Sequence, residues 1–147
     1  MPIGLDPFFG VLLAGQFEVS FGMSEVRKSY ARMVIVAHPD QEVRKAITKH
    51  LHSCEWNVIS VDTCTQLYSR LQAWPGAKVI LSTKMPDESG YLACSKALKS
   101  RPTTLIHLMD SQPDSVDESL AAFVGAASIG PMEKILADFC SPVGTRS

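Results

Sequence analysis

The stretch "LSTKMPDESG" (81–90) follows a short apolar run and leads into a segment with helical spacing. Ser82 and Thr83 therefore stand where a strand hands over to the next element. A hydroxyl there becomes a nucleophile only with a base beside it. His38, Pro39 and Asp40 follow an earlier apolar run and Asp110 follows a later one, so Ser82, His38 and Asp40 or Asp110 invite a hydrolase reading. The surroundings argue against it, because Ser82 has no G-x-S-x-G elbow and no Gly-rich oxyanion loop follows His38. Lys84 could hold an anion beside Ser82, but Asp87 and Glu88 follow at once and oppose it.

The second candidate chemistry is metal binding. "HLHSC" places His50, His52 and Cys54 at alternate positions, with His107 further along. On a helix, side chains at i and i+2 diverge, so His50 and His52 do not aim at one ion. His50 is expected on a half-buried side of its helix, and His52 at the exposed, negative helix end. The four cysteines, Cys54, Cys64, Cys94 and Cys140, contain no C-x-x-C pair and are expected as reduced thiols filling the core. No metal and no cofactor is expected, and at 147 residues a chain needs no disulfide to bury a core.

These residues are positioned by a regular alternation of elements. "MVIVA" (33–37), "NVISV" (57–61), "KVILS" (78–82), "TLIHLM" (104–109) and "AASI" (126–129) read as strands. After the first comes a helix with Val43, Ala46, Ile47, His50 and Leu51 on one face. The second helix turns Leu67, Tyr68 and Leu71 inward and stops at Trp74-Pro75-Gly76. A third, near 89–100, is closed by Pro102; "VDESLAAFV" (116–124) is the fourth; "MEKILADF" (132–139) is the fifth, opened by Pro131. Five βα units in a row predict an α/β, flavodoxin-like, doubly wound parallel sheet with strand order 2-1-3-4-5. Strands one and three are then neighbours, and the crevice beyond their carboxyl ends, just after Ala37 and Leu81, is the expected site.

Residues 1–30 lack this rhythm and read as an apolar arm, 31–140 as the domain and 141–147 as a tail. Phe8, Phe9, Val11, Leu12, Leu13, Phe17, Val19 and Phe21 are too many apolar groups to leave in water. The arm either packs on its own domain, buries itself in a partner or second copy, or is a start-site extension without a role. Its segment "PFFGVLLAGQF" is too short to span a bilayer and lacks a basic leader, so membrane insertion is not expected and a cytoplasmic protein is. The formal net charge is −1 and no run of Lys or Arg stands out, which disfavours nucleic acid.

Over residues 33–139 the chain resembles the receiver domains (CheY-like) of bacterial two-component response regulators. Receivers place a phosphoryl-accepting aspartate at the tip of strand three, with Pro four residues on and Gly four beyond. Here Ser82, Pro86 and Gly90 keep the frame, with serine in place of aspartate. Receivers end strand one in two adjacent acidic residues that hold Mg²⁺; this chain has His38 and Pro39, with Asp40 one step late. Met109 stands where strand four normally ends in Thr or Ser. The lysine before the proline after strand five is missing, and the interval from Gly125 to Pro131 is two residues short. Mg²⁺ requires hard oxygen ligands, which His38 and Pro39 do not supply.

The resemblance thus implies a degenerate pseudo-receiver, without catalytic activity, that serves as a phosphorylation-independent protein-interaction module in bacterial signal transduction. By analogy, its partner-binding face is helix four, strand five and helix five: Asp117, Glu118 and Ala121, then Ser128 and Ile129, then Glu133 and Lys134. A homodimer would use that face or the N-terminal arm. The alternative is a small-ligand sensor or minor enzyme that uses the crevice at His38, Ser82, Thr83 and Met109, which requires an enclosed pocket with converging polar groups.

Overall fold

Residues 32–140 are described by the computed structural model. The arm and the tail lie outside the described residues. Strands β1 (Met33–Ala37), β2 (Asn57–Val61), β3 (Lys78–Ser82), β4 (Ile106–Met109) and β5 (Ser128–Gly130) alternate with helices α1 (Gln41–Ser53), α2 (Cys64–Ala73), α3 (Gly90–Ser100), α4 (Ser115–Val124) and α5 (Met132–Phe139). The strands form one parallel sheet in the order β2-β1-β3-β4-β5, as the sequence predicts. β1 is buried at all its positions and β3 at all but the first, as expected for strands covered on both faces.

Alternating strand residues feed two cores. Ile35, Val79, Leu81, Ile106 and Leu108 meet Leu67 and Leu71 of α2, Ala93 and Ala97 of α3, and Ala121 of α4. On the opposite face Val34, Val36, Ile80 and Met109 meet Ile47 and Leu51 of α1 and Ile135, Leu136 and Phe139 of α5, with Trp56 sealing the edge. The indole of Trp56 donates to the carbonyl of Phe139 at 3.0 Å and stacks edge-on against its ring. Helix starts are set by side chains that accept orphan amides: Asp40 for α1, Thr63 for α2, Ser89 for α3 and Asp114 for α4. Gly125, at φ +89°, lets the chain turn out of α4.

Three expectations are corrected. β4 begins at Ile106 and not at Thr104, whose buried hydroxyl has no hydrogen-bond partner in the described region. His50 is exposed, because the inward stripe of α1 runs through Val43, Ile47 and Leu51 and turns Ala46 and His50 to solvent. The largest correction concerns the thiols. Cys54 and Cys140, 86 positions apart in sequence, form a disulfide with Cα atoms 5.6 Å apart. This topology puts α1 and α5 side by side on one face of the sheet, so the ends of two distant helices become neighbours. Cys64 and Cys94 remain free and buried. Burial pushes their thiols up to about 12 and about 11, with Asp87 adding to the effect on Cys64, so both behave as apolar filler. The expectation that all four cysteines are reduced core filler thus holds for Cys64 and Cys94 alone.

Candidate functional site

Register places the strand tips together. Ala37 pairs with Leu81, Ser82 with Met109, and Met109 with Gly130. His38, Ser82, Asp110 and Pro131 therefore surround one end of the sheet, but their hydrogen bonds do not converge. His38 Nδ1 accepts the Asp40 amide at 3.0 Å, which leaves the ring proton on Nε2. Burial lowers its pKa, with the Asp40 charge opposing, so the imidazole is held neutral. The Asp40 carboxylate turns away to accept the Glu42 amide at 2.9 Å as the cap of α1.

Ser82 is buried, and its Oγ spends its capacity on the backbone of Lys84, accepting from N at 3.1 Å and donating to O at 3.3 Å. Thr83, also buried, donates to Asp110 Oδ2 at 2.9 Å. Among the described residues, the trio of His, Cys, Asp or Glu ligand atoms that gathers is His50, Cys54 and Cys140, away from these tips. The Ser/His/Asp arrangement is thus not assembled: the serine faces a main chain, the histidine an amide, and each nearby carboxylate has its own local donor.

The loop from Ser82 to Gly90 is shaped by tertiary contacts. Gly90 N donates to Thr83 O at 2.9 Å, and an isolated antiparallel bridge joins Lys84 to Ser89. Asp87 reaches over to α2 and accepts from the amides of Cys64 at 2.9 Å and Thr65 at 3.0 Å, and from the Thr65 hydroxyl at 3.1 Å. Glu88 accepts from the Tyr68 hydroxyl and pairs with Lys96 at 2.8 Å. These acids do not serve Lys84; they clamp the loop to two helices.

That clamp has a measurable pH signature. The Cys64 amide, joined by those of Thr65, holds the Asp87 carboxyl down at about 2. A depressed folded-state pKa stabilises above the ordinary carboxylate range, and that stabilisation is lost as pH falls through about 2. Asp87→Ala should destabilise the domain by roughly 1 kcal/mol at neutral pH, the usual worth of a helix cap. The gap from the native protein should close between about pH 4 and pH 2 in urea titrations.

Beside the strand tips lies a cleft of about 340 Å³ lined by His38, Val43, Met109, Ser111, Pro131, Met132 and Glu133. Ser82 and Thr83 are not on its wall. On the face expected by analogy to meet partners, two positions are corrected: Ala121 is 3% and Ile129 8% exposed, both packed into the core, so neither offers contact surface. Asp117 is engaged in the capping box with Asp114 and accepts from the Tyr91 hydroxyl at 3.1 Å. Ser128 shares a hydrogen bond of 2.8 Å with His107 Nδ1, and Lys134 donates to Ile129 O at 3.1 Å. Glu118 and Glu133 are exposed.

What α4 does present is Val116, Leu120 and Phe123, at 70%, 38% and 87% exposure. Their i, i+4, i+7 spacing puts them on one stripe. That spacing was legible in the sequence, but the helix is apolar on its other side too. A second surface also escaped sequence reasoning: Arg44, Lys45, Lys49 and His52 line one groove of about 520 Å³ between α1 and the β2 edge. Spaced along a helix, these residues form no run.

No family model and no curated protein matches the sequence. Solved structures do resemble this one. The BeF3-activated DrrB receiver domain is 23% identical, with 72% of this chain and 92% of that one covered at a TM-score of 0.63. The chemotaxis protein CheY4 of Vibrio cholerae is 14% identical over 72% and 93% of the two chains, at 0.67. The BeF3-activated N-terminal receiver domain of Klebsiella pneumoniae RstA is 18% identical over 72% and 93%, at 0.66. The class that sheet order and helix placement define is the flavodoxin-like (βα)5 domain. Within it, the fold is that of the response regulator receiver domains.

Proposed function

We propose that this chain is a pseudo-receiver: a module of bacterial two-component-type signalling that engages a protein partner without aspartyl phosphorylation or catalysis of its own. The observation that carries the proposal is Ser82. It occupies the strand tip where receivers hold their phosphoacceptor, and its Oγ is closed onto the Lys84 backbone. A neutral hydroxyl so engaged, without a hydrogen-bonded base, is a poor nucleophile. His38 is held neutral and Pro39 has no side-chain ligand atom, so the neighbouring strand tip supplies no adjacent carboxylate pair for the oxygen cage that Mg²⁺ requires. The exposed stripe of Val116, Leu120 and Phe123 supplies the contact surface, since large side chains left open at helical spacing mark a docking face.

The test compares surface with crevice. Phe123→Arg and Leu120→Arg should weaken partner binding by about 2 kcal/mol or more, the scale of an interface hot spot, while Ser82→Ala and His38→Ala leave it unchanged. Circular dichroism of each variant checks folding. Incubation of the native chain with acetyl phosphate and Mg²⁺ should give no hydroxylamine-labile phosphoryl adduct, and Ser82→Asp alone should not restore one. An adduct on the native chain would remove the phosphorylation-independent reading. Loss of function in the crevice pair with the surface pair silent would instead make the 340 Å³ cleft beside His38 and Met109 the functional site.

A further inference from the structure

The seam between α1 and α5 carries a cluster that the signalling proposal does not use. His50 lies in the last turn of α1 and Cys54, four residues on, is that helix's C-cap, a spacing that brings the two side chains to one side. Cys140, the residue that caps α5, meets them from across the seam. One ligand atom from each of the three lies within 4.8 Å of the others. His52 and His107 are not part of this group: His52 lines the basic groove, and His107 packs on Phe139 and bonds Ser128.

We propose that this cluster is a redox-gated site for a soft divalent cation of the zinc class, with the Cys54–Cys140 disulfide and the bound metal as its two alternative occupants. A dithiol reductant converts the disulfide to two thiols and is itself oxidised to a disulfide. Cation binding then displaces one proton from each thiol, and the two thiolates and the neutral imidazole of His50 become ligands. Two thiolates and an imidazole are the donors zinc favours; three protein ligands leave a fourth tetrahedral position open to water. Thiolate sulfurs about 2.3 Å from one ion lie farther apart than bonded sulfurs, so metal and disulfide exclude each other.

The surroundings suit a cation. Cys54 and Cys140 are the C-caps of α1 and α5, so two helix C-termini bring partial negative charge to one place. Arg32 opposes this, but its guanidinium is directed at the carbonyls of Cys54, at 2.6 Å, and Glu55, at 3.1 Å. His50 is exposed and both cysteines are partly so, which gives reductant and ion a path that the buried Cys64 and Cys94 lack.

The experiment uses the full chain, reduced anaerobically with a phosphine and titrated with Co²⁺ as a spectroscopic stand-in for Zn²⁺. Reduced protein should bind one equivalent with thiolate-to-cobalt charge-transfer absorption, bleached by added Zn²⁺, and the oxidised protein should show none. Cys140→Ser should abolish the two-thiolate spectrum. His50→Ala, which leaves the disulfide untouched and so guards against a mere folding defect, should keep the thiolate band but weaken binding about tenfold or more, in line with the cost of damaging a metal's shell. His52→Ala should bind as the native protein does. Reduced native protein without a charge-transfer band would overturn the proposal, as would undiminished binding in both Cys140→Ser and His50→Ala.

Discussion

Gly90→Ala should destabilise the domain by about 3 kcal/mol, the upper range for forcing a group into a packed site. A Cβ built at Gly90 falls 2.1 Å from Ser82 O, 2.7 Å from Thr83 Cα and 2.9 Å from Ser82 C. All three are main-chain atoms of the strand tip, which cannot rotate away as a flexible side chain could. Relief would require α3 to lift from β3, breaking the bond from Gly90 N to Thr83 O. Gly76, with nothing within 4 Å of a built Cβ, is the internal control, and Gly76→Ala should leave the urea midpoint nearly unchanged. Equal midpoints for the two variants would show that α3 does not approach β3 this closely. The contact also separates frame from chemistry: glycine four residues after Pro86 is demanded by helix-to-strand packing, whatever stands at position 82.

Reducing the Cys54–Cys140 disulfide in the presence of a chelator should lower stability by about 2–4 kcal/mol, since the bond closes a long loop and removes conformational freedom from the unfolded chain. The loop spans 86 residues and ties the C-terminal end of α5 to that of α1. α5 has other anchors, in Ile135, Leu136, Phe139 and the Trp56 bond to the Phe139 carbonyl, so the reduced domain should remain folded. Cys54→Ala and Cys140→Ala should each reproduce the loss, and the double variant should cost no more than either, because one bond is removed only once. Identical urea midpoints for oxidised and reduced native protein would show that the bond does not form.

The two surfaces of α4 show why a partner face is harder to read than a fold. Asp117, Glu118 and Ala121 were the expected contacts, yet the rotation of the helix buries Ala121 and leaves Phe123 87% exposed. A helix with apolar residues on two of its sides does not declare which of them faces the sheet. Here Ala121, with Val124 partly covered, packs inward, and the longer side chains are turned out.

The amino-acid sequence by itself determined the βα alternation, the strand order and the positions at the strand tips. Each of those rests on patterns confined to a few neighbouring residues: β-branched runs such as Val34-Ile35-Val36, helical spacing such as Ile47 and Leu51, and breakers at Pro75, Pro102 and Pro131. Strand order follows from matching five such units to the flavodoxin-like arrangement, to which right-handed crossovers leave few alternatives. The tertiary structure alone decided what each polar group at a tip does and which distant residues meet. Asp40 and Asp87 look alike as acids near a site, but one caps its own helix and the other caps a helix beginning 23 residues earlier. Cys54 and Cys140 are unremarkable 86 residues apart, and become partners because α1 and α5 share one face of the sheet. Such contacts have no period along the chain; they are set by how elements lie against one another in space, and local spacing does not encode that.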